Sequence, residues 1–73
     1  MAEFDRITFD PNTMGGRACI RGMRIPVSVI TGQIAHGATV EEILADYPDL
    51  EPEDIKQALG YAAWLTQEEV STT

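Results

Sequence analysis

The stretch that decides the fold runs from Thr39 to Leu65 and reads TVEEILADYPDLEPEDIKQALGYAAWL. Thr39, with Glu42 three residues later, forms a capping-box signature, which predicts a short helix over Val40 to Ala45. That helix must end at Tyr47-Pro48, because the residue before a proline avoids helical geometry. A longer helix follows after a tight connection.

The longer helix is predicted to start at Pro52, which suits a first turn. The positive end of the helix dipole favours the acids Glu51, Glu53 and Asp54 there, so we interpret them as solvated helix-start charges. A metal site for nuclease chemistry is the remote alternative. The two helices together are typical of a helix-turn-helix unit, although plain three-helix packing gives the same pattern.

Two short strands and one more helix are predicted upstream. Arg6–Phe9 alternates polar and apolar residues, Ala18–Ile20 is a second apolar run, and Gly15-Gly16 lies between them in a turn that needs positive φ. Pro26 suits the first position of a helix predicted over Val27–His36. The order β, β, α, α, α predicts a mainly α fold, a short N-terminal β-hairpin followed by three helices.

The length of 73 residues limits the chain to one domain with a small core, so a second subunit or a partner is expected to stabilise it. We assign residues 1–66 to that domain and residues 67–73 to an acidic C-terminal tail. A single cysteine, Cys19, excludes an internal disulfide, and one cysteine with one histidine excludes a four-ligand zinc site. Since no apolar run reaches the length of a membrane span, we expect a cytoplasmic protein without cofactors.

The net charge of −7 is unevenly distributed along the chain. Residues 1–36 contain four arginines and three acids, a balance of +1, whereas residues 37–73 contain one lysine and nine acids, a balance of −8. A polyanion such as DNA is therefore expected to meet the N-terminal half.

Three arginines, Arg17, Arg21 and Arg24, lie within eight residues of the predicted ribbon. Guanidinium groups match phosphates and guanine edges, so these residues are candidate nucleic-acid contacts. A solvated surface or an intramolecular ion-pair site would explain the same cluster. The predicted last helix is a poorer reader of bases, because the acids of its first turn repel phosphates.

The last helix has two apolar stripes, which is more than one core needs. The second stripe consists of Tyr61, Trp64 and Leu65. Because Tyr and Trp are frequent anchors of protein interfaces, we predict these three residues as protein-interface contacts. Core packing is the alternative for Tyr61.

Cys19 and His36 are the residues that would suit a nucleophile and its base. Cys19 falls in a short apolar strand, however, where a buried thiol is ordinary. We therefore expect no catalytic residues and no enzymatic activity.

Many residues between Ile7 and Trp64 match the pattern of one bacterial family. The matching residues are Gly15-Gly16-Arg17, Cys19-Ile20-Arg21-Gly22, Arg24-Ile25-Pro26-Val27, Gly37, Glu41-Glu42-Ile43-Leu44, Tyr47-Pro48-Asp49-Leu50, Asp54-Ile55, Ala58-Leu59 and Tyr61-Ala62-Ala63. In these residues the sequence resembles the bacterial domain of unknown function 433, a family of VapB-like antitoxins often encoded beside a PIN-like ribonuclease toxin. One departure is Ala18, where the family usually has proline.

The resemblance implies a homeodomain-like or winged-helix-like fold, homodimerisation, autoregulatory binding to operator DNA and neutralisation of the toxin. Arg17, Arg21 and Arg24 are carried over as the nucleic-acid contacts. The leading hypothesis is a dimeric antitoxin of a type II system, whose arginine ribbon meets DNA while the acidic last helix and tail cover the toxin. The alternative is a protein-interaction module that inhibits a partner without binding DNA.

Overall fold

A computed structural model describes residues 4–66 and has the predicted order of a short hairpin followed by three helices. The elements are β1 (Ile7–Thr8), a 3-10 turn (Met14–Gly16), β2 (Cys19–Ile20), α1 (Val27–Ala35), α2 (Val40–Asp46) and α3 (Pro52–Leu65). The mainly α fold class is therefore confirmed. The predicted acidic tail, residues 67–73, lies outside the described residues.

The two strands are shorter than predicted and pair antiparallel, Ile7 with Ile20 and Thr8 with Cys19. Cys19 forms a further bridge with Pro26, so the chain folds back a second time before α1 begins. Pro26 has an extended backbone and precedes the helix instead of occupying its first turn. This second fold-back brings α1 directly against the hairpin.

The turn between the strands contains the left-handed residues that the sequence predicted. Gly15 and Gly16 have φ of 68° and 83°, values that glycine adopts without steric strain. Met14 shares this conformation with a φ of 53°. The three residues form a 3-10 turn that the sequence pattern did not indicate.

The predicted capping box is present at the start of α2. Thr39 Oγ1 accepts a hydrogen bond from the Glu42 backbone N–H at 3.1 Å, and Glu42 Oε1 accepts one from the Thr39 N–H at 2.8 Å. α1 ends at Ala35, one residue earlier than predicted, and Gly37 follows with a φ of 96°. Residues 47–51 form the tight connection between α2 and α3.

The core lies where the three helices meet the hairpin, and α1 packs chiefly against α3. Its buried apolar residues are Ile7, Cys19, Ile20, Val27, Ile30, Ile43, Leu50, Ile55 and Ala58. The sequence pattern also places Val40 inward, and this is wrong: Val40 is 38% exposed because the whole first turn of α2 lies at the surface. In the described part of the chain no helix has the length and apolarity needed to cross a bilayer.

Candidate functional site

The three arginines predicted as nucleic-acid contacts, Arg17, Arg21 and Arg24, do not form one surface. Arg21 binds Asp54 at the start of α3: its Nε donates to Oδ1 at 3.0 Å and its Nη2 to Oδ2 at 2.9 Å. Its Nη2 also donates to the backbone carbonyl of Asp49 at 2.7 Å. Paired bonds to one carboxylate are the strong arginine geometry, so this guanidinium is already engaged inside the chain. The intramolecular ion-pair interpretation of the cluster therefore describes Arg21.

A second arginine binds the same carboxylate. Arg6 Nη1 lies 3.0 Å from Asp54 Oδ1 and 2.7 Å from Glu51 Oε1. The Asp54 side chain is 0% exposed, whereas those of Arg6 and Arg21 are 28% and 37% exposed. The prediction that Asp54 is a solvated helix-start charge is therefore wrong. We call Arg6, Arg21, Glu51 and Asp54 the Asp54 cluster.

The arginines of the Asp54 cluster keep its central carboxylate ionised. Burial by itself would raise the pKa of Asp54, but hydrogen bonds from Arg21, the Glu51 backbone and Arg6 outweigh it and hold that pKa below the usual 3.8. The bond to Glu51 and then that to Asp54 raise the pKa of Arg6, and the bond to Asp54 raises the pKa of Arg21. Two acids and two arginines leave the cluster close to neutral.

Local structure explains why Asp54 turns inward. It is the third residue of α3, and its Oδ2 reaches back to accept a hydrogen bond from the Glu51 N–H at 2.8 Å. Arg21 and Gly22 both have positive φ, 47° and 73°, so the chain turns sharply after β2. That turn places the Arg21 guanidinium beside the first turn of α3.

Arg17 and Arg24 lie at the surface. Both are exposed, and neither forms an ion pair with an acid of residues 4–66. The bridge between Cys19 and Pro26 separates them, because Arg24 is on the turn side of this fold-back and Arg17 is on its open side. These two arginines remain available to an external polyanion.

An exposed group of aromatic rings lies at the C-terminal end of α3. Tyr61 is 5.6 Å from Phe4, 6.0 Å from Phe9 and 6.1 Å from Trp64, measured between ring centroids. Phe9 is 57% exposed, Trp64 is 44% exposed and Leu65 is 52% exposed. We call these five residues the aromatic patch.

The aromatic patch contains the predicted interface residues Tyr61, Trp64 and Leu65, and the structure adds Phe4 and Phe9. Tyr61 is partly buried, since three other rings surround it, so the core-packing alternative describes part of its surface. Sequence reasoning missed Phe9 because strand alternation places it on the same side as the buried Ile7. Pairing ends at Thr8, however, and Phe9 turns to the surface.

The segment before β1 is fixed to α3 by its own contacts. Gln57 accepts a hydrogen bond from the Arg6 backbone N–H at 3.0 Å and donates one to Asp5 at 2.8 Å. Gly60 lets the Phe4 ring approach, because a Cβ at Gly60 would lie 3.4 Å from the ring. These contacts hold Phe4 in the aromatic patch.

The residues considered for catalysis lie in different environments. Cys19 is 1% exposed in the core, whereas His36 is exposed at the end of α1. Across residues 4–66, no three His, Cys, Asp or Glu side chains group as a metal site would require. The sequence expectation that the chain has no enzymatic activity stays a prediction.

Similarity to known proteins identifies the family. The family model described as protein of unknown function DUF433 matches residues 7–62. The chain belongs to the DUF433 family. A curated relative, the uncharacterized protein y4eO of Sinorhizobium fredii (strain NBRC 101917 / NGR234), is 38% identical over 56 residues. These residues are 77% of this DUF433 chain and 25% of the relative, so the match spans a quarter of the relative's length.

A solved structure supports the same assignment. The crystal structure of a DUF433 member protein from Anabaena variabilis ATCC 29413, at 2.00 Å resolution, matches with a TM-score of 0.77 and 35% sequence identity. The match covers 93% of this chain and 66% of the other. The resemblance found in the sequence is therefore confirmed at the level of family and fold.

Proposed function

We propose that this DUF433 protein is an antitoxin-type binding protein, a homodimer that neutralises a PIN-like ribonuclease by covering it with α3. The observation that supports this proposal is the aromatic patch, which leaves three large apolar side chains in water on a domain with a small core. Aromatic side chains contribute strongly to binding when a partner buries them. A surface of this kind on a 73-residue chain favours a protein-binding role.

The charge of the C-terminal half supports a ribonuclease as the partner. Residues 37–73 have a balance of −8, and the exposed acids of the described part lie on α2, its connection to α3 and the first turn of α3. A ribonuclease must attract RNA phosphates, so its active-site surface is expected to be basic. An acidic binder therefore gains association rate and specificity from complementary charge.

Operator DNA binding is the second candidate function, and Arg17 and Arg24 are the residues that favour it. Arg21, the third predicted contact, is engaged by Asp54, which reduces the free cationic groups of each subunit from three to two. A homodimer would present four such arginines to one DNA molecule, which compensates in part for this reduction.

Neutralisation is tested with the protein encoded by the adjacent gene, produced together with this chain and assayed for ribonuclease activity. We expect the double variant Phe9→Ala/Trp64→Ala to weaken inhibition about 100-fold, because it removes two aromatic anchors. Met14→Ala is the matched control, since Met14 is also an exposed apolar residue, 37% exposed, and lies outside the aromatic patch. Unchanged inhibition by the double variant would contradict the proposal.

DNA binding is tested by fluorescence anisotropy on the chain's own promoter over a salt series. Replacing Arg17 and Arg24 by Ala is expected to flatten the dependence of log K on log salt by about 0.9 for each phosphate that is no longer neutralised. Lys56→Ala is the single-charge control on α3, to be compared with Arg17→Ala. If the parent shows no salt-dependent shift, the DNA role is wrong while the neutralising role still stands on its own assay.

A further inference from the structure

α1 lies within the longest uncharged segment of the chain. Residues 25–40 contain no Asp, Glu, Lys or Arg, although these four types make up 23% of the sequence. The segment includes the whole of α1 and the first residue of α2. A helix whose outer face met only water would ordinarily carry charged residues there. The composition of α1 is therefore typical of a helix with a covered outer face.

The outer face of α1 has no cover in the single chain. Ile30 is completely buried on the inner side, which fixes the orientation of the helix. The opposite side consists of Ser28, Val29, Gly32 and Ala35, of which Ser28 and Ala35 are exposed and Val29 is half-buried. We call these four residues the α1 face.

The two glycines inside the helices of the described chain show why the α1 face is unusual. Glycine in a helix interior is less favourable than alanine. Gly60 has an internal reason for its missing side chain, because Phe4 packs against it. A Cβ at Gly32 would meet nothing within 4 Å, so no contact inside the chain requires glycine there. A second backbone approaching α1 from outside would require it.

We infer that the α1 face is the contact surface for a second copy of this chain. The charge of −7 decides in favour of a second copy, because apposing any two acidic surfaces of identical chains would bring like charges together. The uncharged segment is where two copies meet without that repulsion. A basic partner, in contrast, would gain more from the acidic surfaces of α2 and α3.

The sequence of the α1 face is self-complementary about a two-fold axis. Ser28 and Ala35 are equally distant from the midpoint between Thr31 and Gly32. An axis through that midpoint places Ser28 of one copy opposite Ala35 of the other, with the two helices antiparallel. This is the isologous arrangement of most homodimers, and it also sets the helix dipoles in opposite directions.

The size of the α1 face predicts a weak dimer. A helix of nine residues is only about 13 Å long, so the contact is well below the roughly 800 Å² per partner of a standard interface. We expect reversible dimerisation with a dissociation constant on the order of 100 μM. The surface named here belongs to the homodimer proposed above, and it does not depend on the toxin or on DNA.

The inference is tested by sedimentation equilibrium on the full chain from about 10 μM to about 1 mM. Gly32→Glu is expected to raise the dissociation constant of the dimer at least about tenfold, because it places a charge at the centre of the contact. Its thermal midpoint should not fall, since Glu favours a helix more than Gly and has open space there. Ala45→Glu, which adds the same charge at an exposed position of α2, is the matched control and should leave dimerisation unchanged.

Three outcomes would overturn the inference. They are a parent chain that stays monomeric at about 1 mM, a Gly32→Glu variant that dimerises like the parent, and disappearance of the dimer in Phe9→Ala/Trp64→Ala with Gly32→Glu unaffected. The last result would assign self-association to the aromatic patch. Because this readout is mass alone, it is independent of the neutralisation and DNA assays.

Discussion

The starts of α2 and α3 use a similar local contact for different purposes. At the start of α2, Thr39 and Glu42 bond to each other's backbone, and both residues are exposed. At the start of α3, Asp54 reaches back to the Glu51 N–H in the same way, but it is completely buried and also binds two arginines. The first contact fixes one helical turn, whereas the second joins α3 to both strands of the hairpin.

The largest effect is expected from Asp54→Ala. It removes the carboxylate shared by two guanidinium groups, and breaking a buried pair in this way costs about 3–5 kcal/mol. Because Arg6 and Arg21 keep some access to water, we expect a decrease of about 3 kcal/mol in the free energy of unfolding. Urea denaturation measures it, with the exposed neighbour Glu53→Ala as the control. A decrease below about 1 kcal/mol would show that the Asp54 cluster has no special role.

The contribution of the Asp54 charge is expected to disappear in acid. The pKa of Asp54 is lower in the folded chain than its usual 3.8, so its stabilising effect is present above that value and is lost as the pH falls further, through the folded pKa. The free energies of unfolding of the parent and of Asp54→Asn should therefore differ by a constant amount at neutral pH and converge below about pH 4. A difference that persists unchanged to about pH 2 would contradict this.

A smaller effect is expected at the start of α2. Thr39→Ala leaves the Glu42 N–H without its acceptor and should lower the free energy of unfolding by about 1 kcal/mol. Thr39→Ser keeps the hydroxyl and should restore most of that stability in the same thermal unfolding measurement. An effect as large as that of Asp54→Ala would mean that the two helix starts are equivalent after all.

The smallest effect on stability is expected from the surface arginines. Arg17→Ala and Arg24→Ala should each change the free energy of unfolding by less than about 0.5 kcal/mol. Arg21→Ala removes charged hydrogen bonds to Asp54 and should cost about 1.5 kcal/mol, a value reduced for its partial exposure. Chemical denaturation of the three variants separates them, and equal effects would mean that Arg17 and Arg24 also have structural partners.

The helices could be predicted from the sequence because their signals are local. Thr39 with Glu42 marks the start of α2, Pro52 marks the start of α3, and Gly37 follows the end of α1, each within a few residues of the boundary that it indicates. The strands were less accurate, since their length depends on pairing between distant residues. Val40 was assigned inward by periodicity alone, which does not reveal whether a neighbouring element covers a helix end.

The candidate site was predicted only in part, for the same reason. Trp64 and Leu65 follow from helical spacing, whereas Phe9 joins them through a turn that no spacing indicates. Asp54 gave no signal of its role, because a first-turn acid is already explained by the helix dipole. Its partners Arg21 and Arg6 are 33 and 48 residues away in sequence, so only the folded chain shows that they meet.

The bond between Arg6 and Asp54 also bears on how the chain folds. Isolated helices form in about a microsecond, but residues 48 apart must first close a long loop, and contacts of this range slow folding. Translation proceeds at about 5–20 residues per second. The hairpin therefore waits on the ribosome for seconds before α3 emerges, and the nascent chain completes its fold only when both ends have met.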